Sequence, residues 1–167
     1  MEIIIRNITE EDISSVVDIQ VEGWKTAYRG IIDDAFLDSL NKEEWIEKRK
    51  KDYKDGPFIV AVKDGQVVGC CRYYDDVLSA DSETFDCEIM ALYVKPELKQ
   101  QGIGKLMFNY AVTDLTNKGK NKMIIWCLKD NYSSRKFYEK MGGEVVGEHE
   151  IEIGGRAYQE VGLGYDL

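Results

Sequence analysis

Seven consecutive residues, Lys99-Gln100-Gln101-Gly102-Ile103-Gly104-Lys105, carry the clearest chemistry in the chain. Glycines at 102 and 104 let the backbone turn sharply and approach a ligand closely. The helical pattern that begins immediately after them presents free N–H groups at the positive end of its dipole. Together they read as an anion-binding loop suited to a phosphate or pyrophosphate. Two familiar phosphate loops do not fit. G-x-x-x-x-G-K-[ST] would need glycine where Lys99 stands and a hydroxyl residue at Leu106, and G-x-G-x-x-G would need glycine at Met107.

The elements that must hold this loop follow from hydrophobic period and turn chemistry. Residues 2–7 read as a strand. Thr9-Glu10-Glu11-Asp12 is capping-box-like, and Ile13, Val16, Val17, Ile19 and Gln20 predict a helix to about Gly23. A second helical zone runs from about Asp33 to Tyr53. Phe58–Val62 and Val67–Tyr74 are strands joined at Asp64-Gly65, a strong hairpin signal, and 75–83 is a polar loop. Phe85 to Val94 is the central strand, stopped by Pro96. Helix 103–118, strand Lys122–Leu128, helix 132–141 and strands at about Glu144–Ile153 and Arg156–Gly164 around Gly154-Gly155 complete the order. The class is mixed α/β, of the α+β kind. The 167 residues, 44% of them hydrophobic, support one core, and no linker, repeat or low-complexity stretch divides a single domain over 1–167.

Composition narrows partners and compartment. The start is apolar for only three residues and lacks a basic flank, and no run is long enough to span a membrane, so a cytoplasmic enzyme is expected. Cys70, Cys71, Cys87 and Cys127 lie in strand-like runs without C-x-x-C spacing and read as reduced core thiols, not as a metal site. The net charge is -9, yet residues 95–140 hold ten Lys/Arg against four Asp/Glu. An acidic protein with a basic middle does not suit nucleic acid. It suits an anionic cofactor at the basic stretch and a cationic substrate elsewhere, unless the basic stretch is only a solvated helix face.

One family fits these residues. Ala91-Leu92-Tyr93-Val94-Lys95-Pro96-Glu97-Leu98-Lys99-Gln100-Gln101-Gly102-Ile103-Gly104 resembles the acyl-CoA loop of the GNAT superfamily of N-acetyltransferases, written [QR]-x-x-G-x-[GA]. Asn131-Tyr132-Ser133-Ser134-Arg135-Lys136-Phe137-Tyr138-Glu139-Lys140-Met141-Gly142 resembles that family's later helix, N-x-x-[AS]-x-x-[FL]-Y-[EK]-[KR]-x-G. The departure is Lys99, where the family has Arg or Gln; Lys keeps the charge and loses the planar fork. The resemblance implies a mostly antiparallel sheet of about seven strands, flanked by about four helices and splayed between its two central parallel strands. It implies acetyl-CoA as cosubstrate, with its pyrophosphate on the N–H groups of Gln100 to Lys105 and its pantetheine arm beside Leu92, Tyr93 and Val94. Asn131, Ser134, Arg135 and Lys136 lie where later coenzyme contacts fall. Asn131 is equally a helix cap, and Arg135 and Lys136 are equally a solvated face or partners of the 3′-phosphate. A homodimer also accords with the family.

Acetyl transfer asks for a base, an acid and an oxyanion donor. A primary amine with a pKa near ~10.4 is mostly ammonium at pH 7, so presenting it as a nucleophile costs roughly 4 to 5 kcal/mol. Glu88 resembles the base of histone-type members. By strict alternation Cys87, Ile89, Ala91 and Tyr93 share one face and Glu88, Met90, Leu92 and Val94 the other, so Glu88 points either into a cleft or to solvent. Tyr138 matches the family's acid and is otherwise a core tyrosine on an amphipathic helix. A phenol near ~10 protonates a thiolate near ~8.5 at an uphill cost of about 2 kcal/mol. The oxyanion donor is expected in the backbone near Leu92 or Tyr93. Trp24 and Tyr28, in a W-x-x-x-Y-x-G segment, are acceptor-pocket candidates by resemblance and core aromatics otherwise. Asp33, Asp34, Asp75, Asp76, Asp81, Glu83 and Asp86 would favour a cationic acceptor if some face the cleft and are ordinary loop charges otherwise, while His149 reads as a surface or satisfied histidine. The reading is acetyl transfer to a primary amine of a small molecule by direct attack. The alternatives are a protein or peptide N-terminal or lysine acetyltransferase, or a noncatalytic acyl-CoA sensor.

Overall fold

Turn chemistry sets the two hairpins on which the sheet is built. Asp64 and Gly65 both adopt positive φ (52° and 77°), as do Gly154 and Gly155 (59° and 81°), so both loops are two-residue turns whose twist matches that of the flanking strands. The computed structural model describes residues 2–78 and 84–167. The strands are β1 (Ile3–Asn7), β2 (Phe58–Lys63), β3 (Gln66–Tyr74), β4 (Cys87–Val94), β5 (Lys122–Leu128), β6 (Glu144–Ile153) and β7 (Arg156–Asp166). The helices are α1 (Ile13–Ala27), α2 (Asp34–Asp38), α3 (Lys42–Asp52), α4 (Ile103–Asn117) and α5 (Tyr132–Lys140). The seven strands form one sheet in the order β1-β2-β3-β4-β5-β7-β6, in which only β4 and β5 pair in parallel.

The central strand starts at Cys87, not Phe85, and the last strand runs past Gly164 to Asp166; two further departures from the sequence reading have a plain physical cause. The first helix continues past Gly23 to Ala27 because Gly23 is a contact residue, not a stop: a Cβ there would lie 2.9 Å from the Tyr93 ring. The second helical zone breaks into α2 and α3, since the Asn41 side chain accepts the Glu44 N–H and starts a new helix. The N-terminal cap forms as read. The Thr9 N–H donates to Asp12 Oδ2 at 2.8 Å, and Arg6 pairs with the same carboxylate at 2.7 Å.

The sheet separates two apolar layers. On one face Val16 and Ile19 of α1 pack on Phe58, Val60 and Cys70, while α3 covers α1 through Trp45 and Ile46. On the other, Met107, Phe108, Ala111 and Leu115 of α4 pack on Cys71, Ile89, Ile125 and Leu163, with Phe137 and Tyr138 of α5 alongside. Cys70, Cys71, Cys87 and Cys127 are buried and unpaired. No helix among the described residues is long and apolar enough to cross a membrane.

Candidate active site

The site begins where the parallel pair comes apart. β4 and β5 pair only at Cys87–Met123, Glu88–Ile124 and Ile89–Ile125, although both strands run on to Val94 and Leu128. The Lys95 N–H donates to the Val68 carbonyl of β3 at 2.9 Å, so the amide of Tyr93, two residues back, faces β3 as well. The N–H and C=O groups of Leu92 and Val94 therefore face the gap. This is an open strand edge inside a sheet.

A β-bulge decides which side chains flank that edge. Arg72 pairs with Ala91 but Tyr73 pairs with Ile89, leaving Met90 extra. The bulge overturns strict alternation: Leu92 and Val94 join Cys87 and Ile89 on the α4 face, while Tyr93 packs with α1 on the same side as Glu88. Glu88 is 3% exposed, and its Oε1 accepts the Leu78 N–H at 3.1 Å.

At the wide end of the gap lies the glycine loop. Gln100 and Gly102 adopt positive φ (65° and 83°), and Gly102 leads directly into α4 without a side-chain cap. The first helical bond runs from the Leu106 N–H to the Gly102 carbonyl at 3.0 Å. The N–H groups of Gly102, Ile103, Gly104 and Lys105 thus point out of the helix end. A Cβ on Gly104 would lie 3.4 Å from Phe137 and 3.6 Å from Leu92, so loop, α5 and β4 meet at that glycine.

Helix α5 is fixed over the gap from both ends. Asn131 is a cap: its Oδ1 accepts the Ser134 N–H at 3.3 Å and its Nδ2 donates to Ser134 Oγ at 2.9 Å. Arg135 donates to the Lys129 carbonyl at 2.9 Å and stacks on Tyr132, whereas Lys136 is exposed. At the other end the Tyr165 hydroxyl donates to the Tyr138 carbonyl at 2.8 Å. Tyr138 is buried, and burial holds its phenol well above the usual tyrosine range, with Cys71, Cys127 and Tyr28 close enough to add to the effect. Tyr28 packs with Trp24 in the apolar cluster on the opposite face of the sheet from Tyr138.

An opened parallel pair, a bulged β4, an uncapped glycine loop and a tyrosine over the gap coincide with a known family, whose acetyltransferase (GNAT) description matches residues 22–143. The chain belongs to the GNAT acetyltransferase family. It is accordingly an acetyl-CoA-dependent N-acetyltransferase. An uncharacterized N-acetyltransferase, YuaI of Bacillus subtilis, is 31% identical over 161 residues, which are 96% of this chain and 91% of that protein. The spermidine N(1)-acetyltransferase of Thermoplasma acidophilum is 26% identical over 87% of this chain and 90% of its own. Among solved structures, a PaiA N-acetyltransferase from Thermoplasma acidophilum in complex with coenzyme A has the same fold, with a TM-score of 0.77 over 100% of both chains at 22% identity. The residues here fit that cosubstrate. An open strand edge suits the two amides of pantetheine, and outward N–H groups at a helix start suit a pyrophosphate.

The other face of this GNAT sheet is aromatic. Trp24 Nε1 donates to the Tyr93 hydroxyl at 2.9 Å, and Trp24 meets Tyr28 edge-on with ring centroids 5.0 Å apart. Burial pushes the Tyr28 phenol up to about 12, and Glu160 adds to the shift while Tyr93 opposes it. The tip of the β6–β7 hairpin closes over this region. A Cβ on Gly154 would strike Phe36, the Asp33 N–H donates to the Tyr158 hydroxyl at 3.0 Å, and Arg156 lies 3.6 Å from Asp33.

The acidic residues named from sequence do not converge here. Asp34 pairs with Arg29, Asp75 with Lys118, and Asp76 accepts the following N–H; Asp86 accepts the N–H groups of Asn121 and Lys122 and so aligns the starts of β4 and β5. Asp81 and Glu83 lie outside the described residues. The residues that sequence reading missed are Glu160, Trp126 and the setting of His149. His149 Nε2 is 2.7 Å from Glu160 Oε1, and the imidazole stacks on Trp126 with centroids 3.7 Å apart. A readable signal existed: a two-residue turn at Gly154-Gly155 sets Ile153 opposite Arg156, and stepping back along both strands sets His149 opposite Glu160.

Proposed function

We propose that this enzyme transfers the acetyl group of acetyl-CoA to a primary amine of a small cationic molecule, by direct attack in a ternary complex. The observation that carries the proposal is the gap between β4 and β5, with Tyr138 over one face and Trp24, Tyr28 and Glu88 on the other. The pantetheine arm pairs with the edge of Leu92 and Val94, beside Tyr93. The pyrophosphate lies on the N–H groups of Gln101, Gly102, Ile103, Gly104 and Lys105, next to Lys99 and Gln100. Lys136, exposed on α5, meets the 3′-phosphate more readily than Arg135, which is already tied to the Lys129 carbonyl, while Asn131 and Ser134 hold the helix start.

The chemistry then balances. Glu88, fixed by the Leu78 N–H, takes a proton from the acceptor ammonium. The freed nitrogen attacks the thioester carbon, the C–N bond forms, the C–S bond breaks, the departing sulfur takes the Tyr138 proton, and the second proton of the attacking nitrogen restores the Tyr138 phenol while Glu88 releases its own to solvent. The Leu92 N–H meets the charge on the carbonyl oxygen. Burial keeps Tyr138 protonated until that moment. Burial also pushes the Cys127 thiol up to about 11, which speaks for direct attack over an acetyl-cysteine.

The hairpin roof over Trp24 and Phe36 favours a small acceptor over a folded polypeptide, and the spermidine acetyltransferase among the relatives makes polyamines the first compounds to test. Four unpaired buried thiols accord with the cytoplasm, and one sheet spanning β1 to β7 accords with a single domain. The test is thiol release from acetyl-CoA with pooled amines, amino acids, polyamines, aminoglycosides and peptides. Release that depends on small amines is expected. Release with peptides alone would move the assignment to a polypeptide acceptor, and acetyl-CoA binding without release by any acceptor would make the protein a sensor.

A further inference from the structure

We propose that Met90 sets the chemical class of the acceptor, selecting an amine borne on an apolar carbon chain over one whose chain carries oxygens. The inference rests on the acetyl transfer to a small amine proposed above. Met90 is the first residue of β4 beyond the last β4–β5 pair, Ile89–Ile125, so it stands where the two strands part. Ile89 packs on the α4 face, and the next residue points the other way, to the side of Glu88 and Tyr93. The bulge leaves Met90 without a partner on β3. Met90 is 46% exposed, although β4 is the fourth of seven strands and the two residues before it, Glu88 and Ile89, are 3% and 1% exposed. A half-exposed side chain on the central strand marks an opening in the layer over the sheet.

The surroundings of that opening are apolar. Leu78, whose N–H donates to Glu88 at 3.1 Å, is 58% exposed, so the buried carboxylate has one exposed apolar residue two places along its own strand and another at its hydrogen-bond donor. Beyond Met90 on the same side come Ala91 and Tyr93, whose hydroxyl already takes the Trp24 N–H. Arg72, paired with Ala91 next to the bulge, is drawn to α3, where Asp52 meets it at 3.2 Å and the rings of Phe58 and Tyr74 lie against it. Its charge is engaged there. An ammonium that reaches Glu88 thus passes beside a flexible thioether, and the carbons next to the nitrogen leave water against it. Each methylene so covered is worth roughly fourfold in binding. An ether or hydroxyl oxygen at the same place would lose its water and gain no partner from the methionine.

The experiment compares 1-aminohexane with 2-(2-aminoethoxy)ethanol, a primary amine of the same length in which oxygens replace two of the carbons, measuring calorimetric binding in the presence of coenzyme A and kcat/KM with acetyl-CoA. Wild type is expected to bind 1-aminohexane at least tenfold more tightly. Met90→Gln, similar in length but polar, should reduce that preference to threefold or less, whereas Met90→Leu should keep it; calorimetric binding of acetyl-CoA reports that each variant is folded. Equal binding of the two amines by wild type, an undiminished preference in Met90→Gln, or an equal loss in Met90→Leu overturns the proposal. Turnover is read separately: a preference in binding without acetylation of either amine would sink the proposed transfer reaction while upholding the role of Met90.

Discussion

The two faces of the gap are assembled in opposite ways. On the donor face, β4, the glycine loop, α4, β5 and α5 follow one another between Cys87 and Lys140, and their site residues meet through near neighbours such as Gly104, Leu92 and Phe137. On the face proposed for the acceptor, the Asp33 N–H reaches Tyr158 across 125 residues, and Glu160 is close enough to Tyr28 to raise its phenol. The face proposed for the acetyl donor is made of backbone: strand-edge amides, helix N–H groups and a glycine that admits close approach. The face proposed for the acceptor is made of side chains, chiefly Trp24, Tyr28 and Tyr93. A backbone site tolerates little change in the glycines that shape it, whereas a side-chain site can change its ligand with one substitution. Each substitution below should therefore alter one face and leave the other.

The largest effect belongs to the residue at the boundary. Tyr138→Phe should lower kcat by roughly 10² or more, with KM for acetyl-CoA changed by no more than about threefold. Thiol-release kinetics check it, and an unchanged kcat in a folded variant would remove Tyr138 from the mechanism. The pH profile sharpens the point. An acid acts only while protonated, and burial raises the Tyr138 phenol above its ordinary value, so the wild type should lose no kcat on the alkaline side up to about pH 10. An alkaline limb near pH 8 would assign the acid to another group.

Next comes the loop. Gly102 sits at φ 83°, where a β-branched side chain is strained, yet a Cβ there meets nothing within 4 Å. Gly102→Val should therefore shift the loop without disturbing the core, raising KM for acetyl-CoA about tenfold with kcat changed less than threefold. If KM for the amine rose instead, the division between the faces would fail.

How much of this was legible follows from the same division. Asp64-Gly65, Gly154-Gly155, the stripe from Ile13 to Gln20 and the glycine loop are local signals, and each element they announced is present. The face assignments on β4 were not legible, because strict alternation assumes an unbroken ladder and the bulge at Met90 inserts one residue that no local pattern announces. The acidic residues were read as a group by type alone, and Asp34, Asp75 and Asp86 proved to be engaged in local pairs and strand alignment. His149 was read without its partner, although the hairpin register already set it opposite Glu160. Long-range meeting points such as that of Phe36 with Gly154 require the three-dimensional fold.

The smallest expected effect separates two cations on one helix. Arg135 is held by the Lys129 carbonyl and the Tyr132 ring, while Lys136 is exposed. An exposed charge contributes on the order of 1 kcal/mol or less to a contact with a phosphate, which corresponds to a few-fold change in affinity. Lys136→Ala should raise KM for acetyl-CoA about threefold and leave KM for the 3′-dephospho analogue unaltered. Arg135→Ala should instead lower the melting temperature by a few degrees, since it unties the β5–α5 connection, and weaken both forms of the coenzyme equally. The reverse pattern would give the 3′-phosphate to Arg135, and would mean that its present bond to the backbone is exchanged when the coenzyme binds.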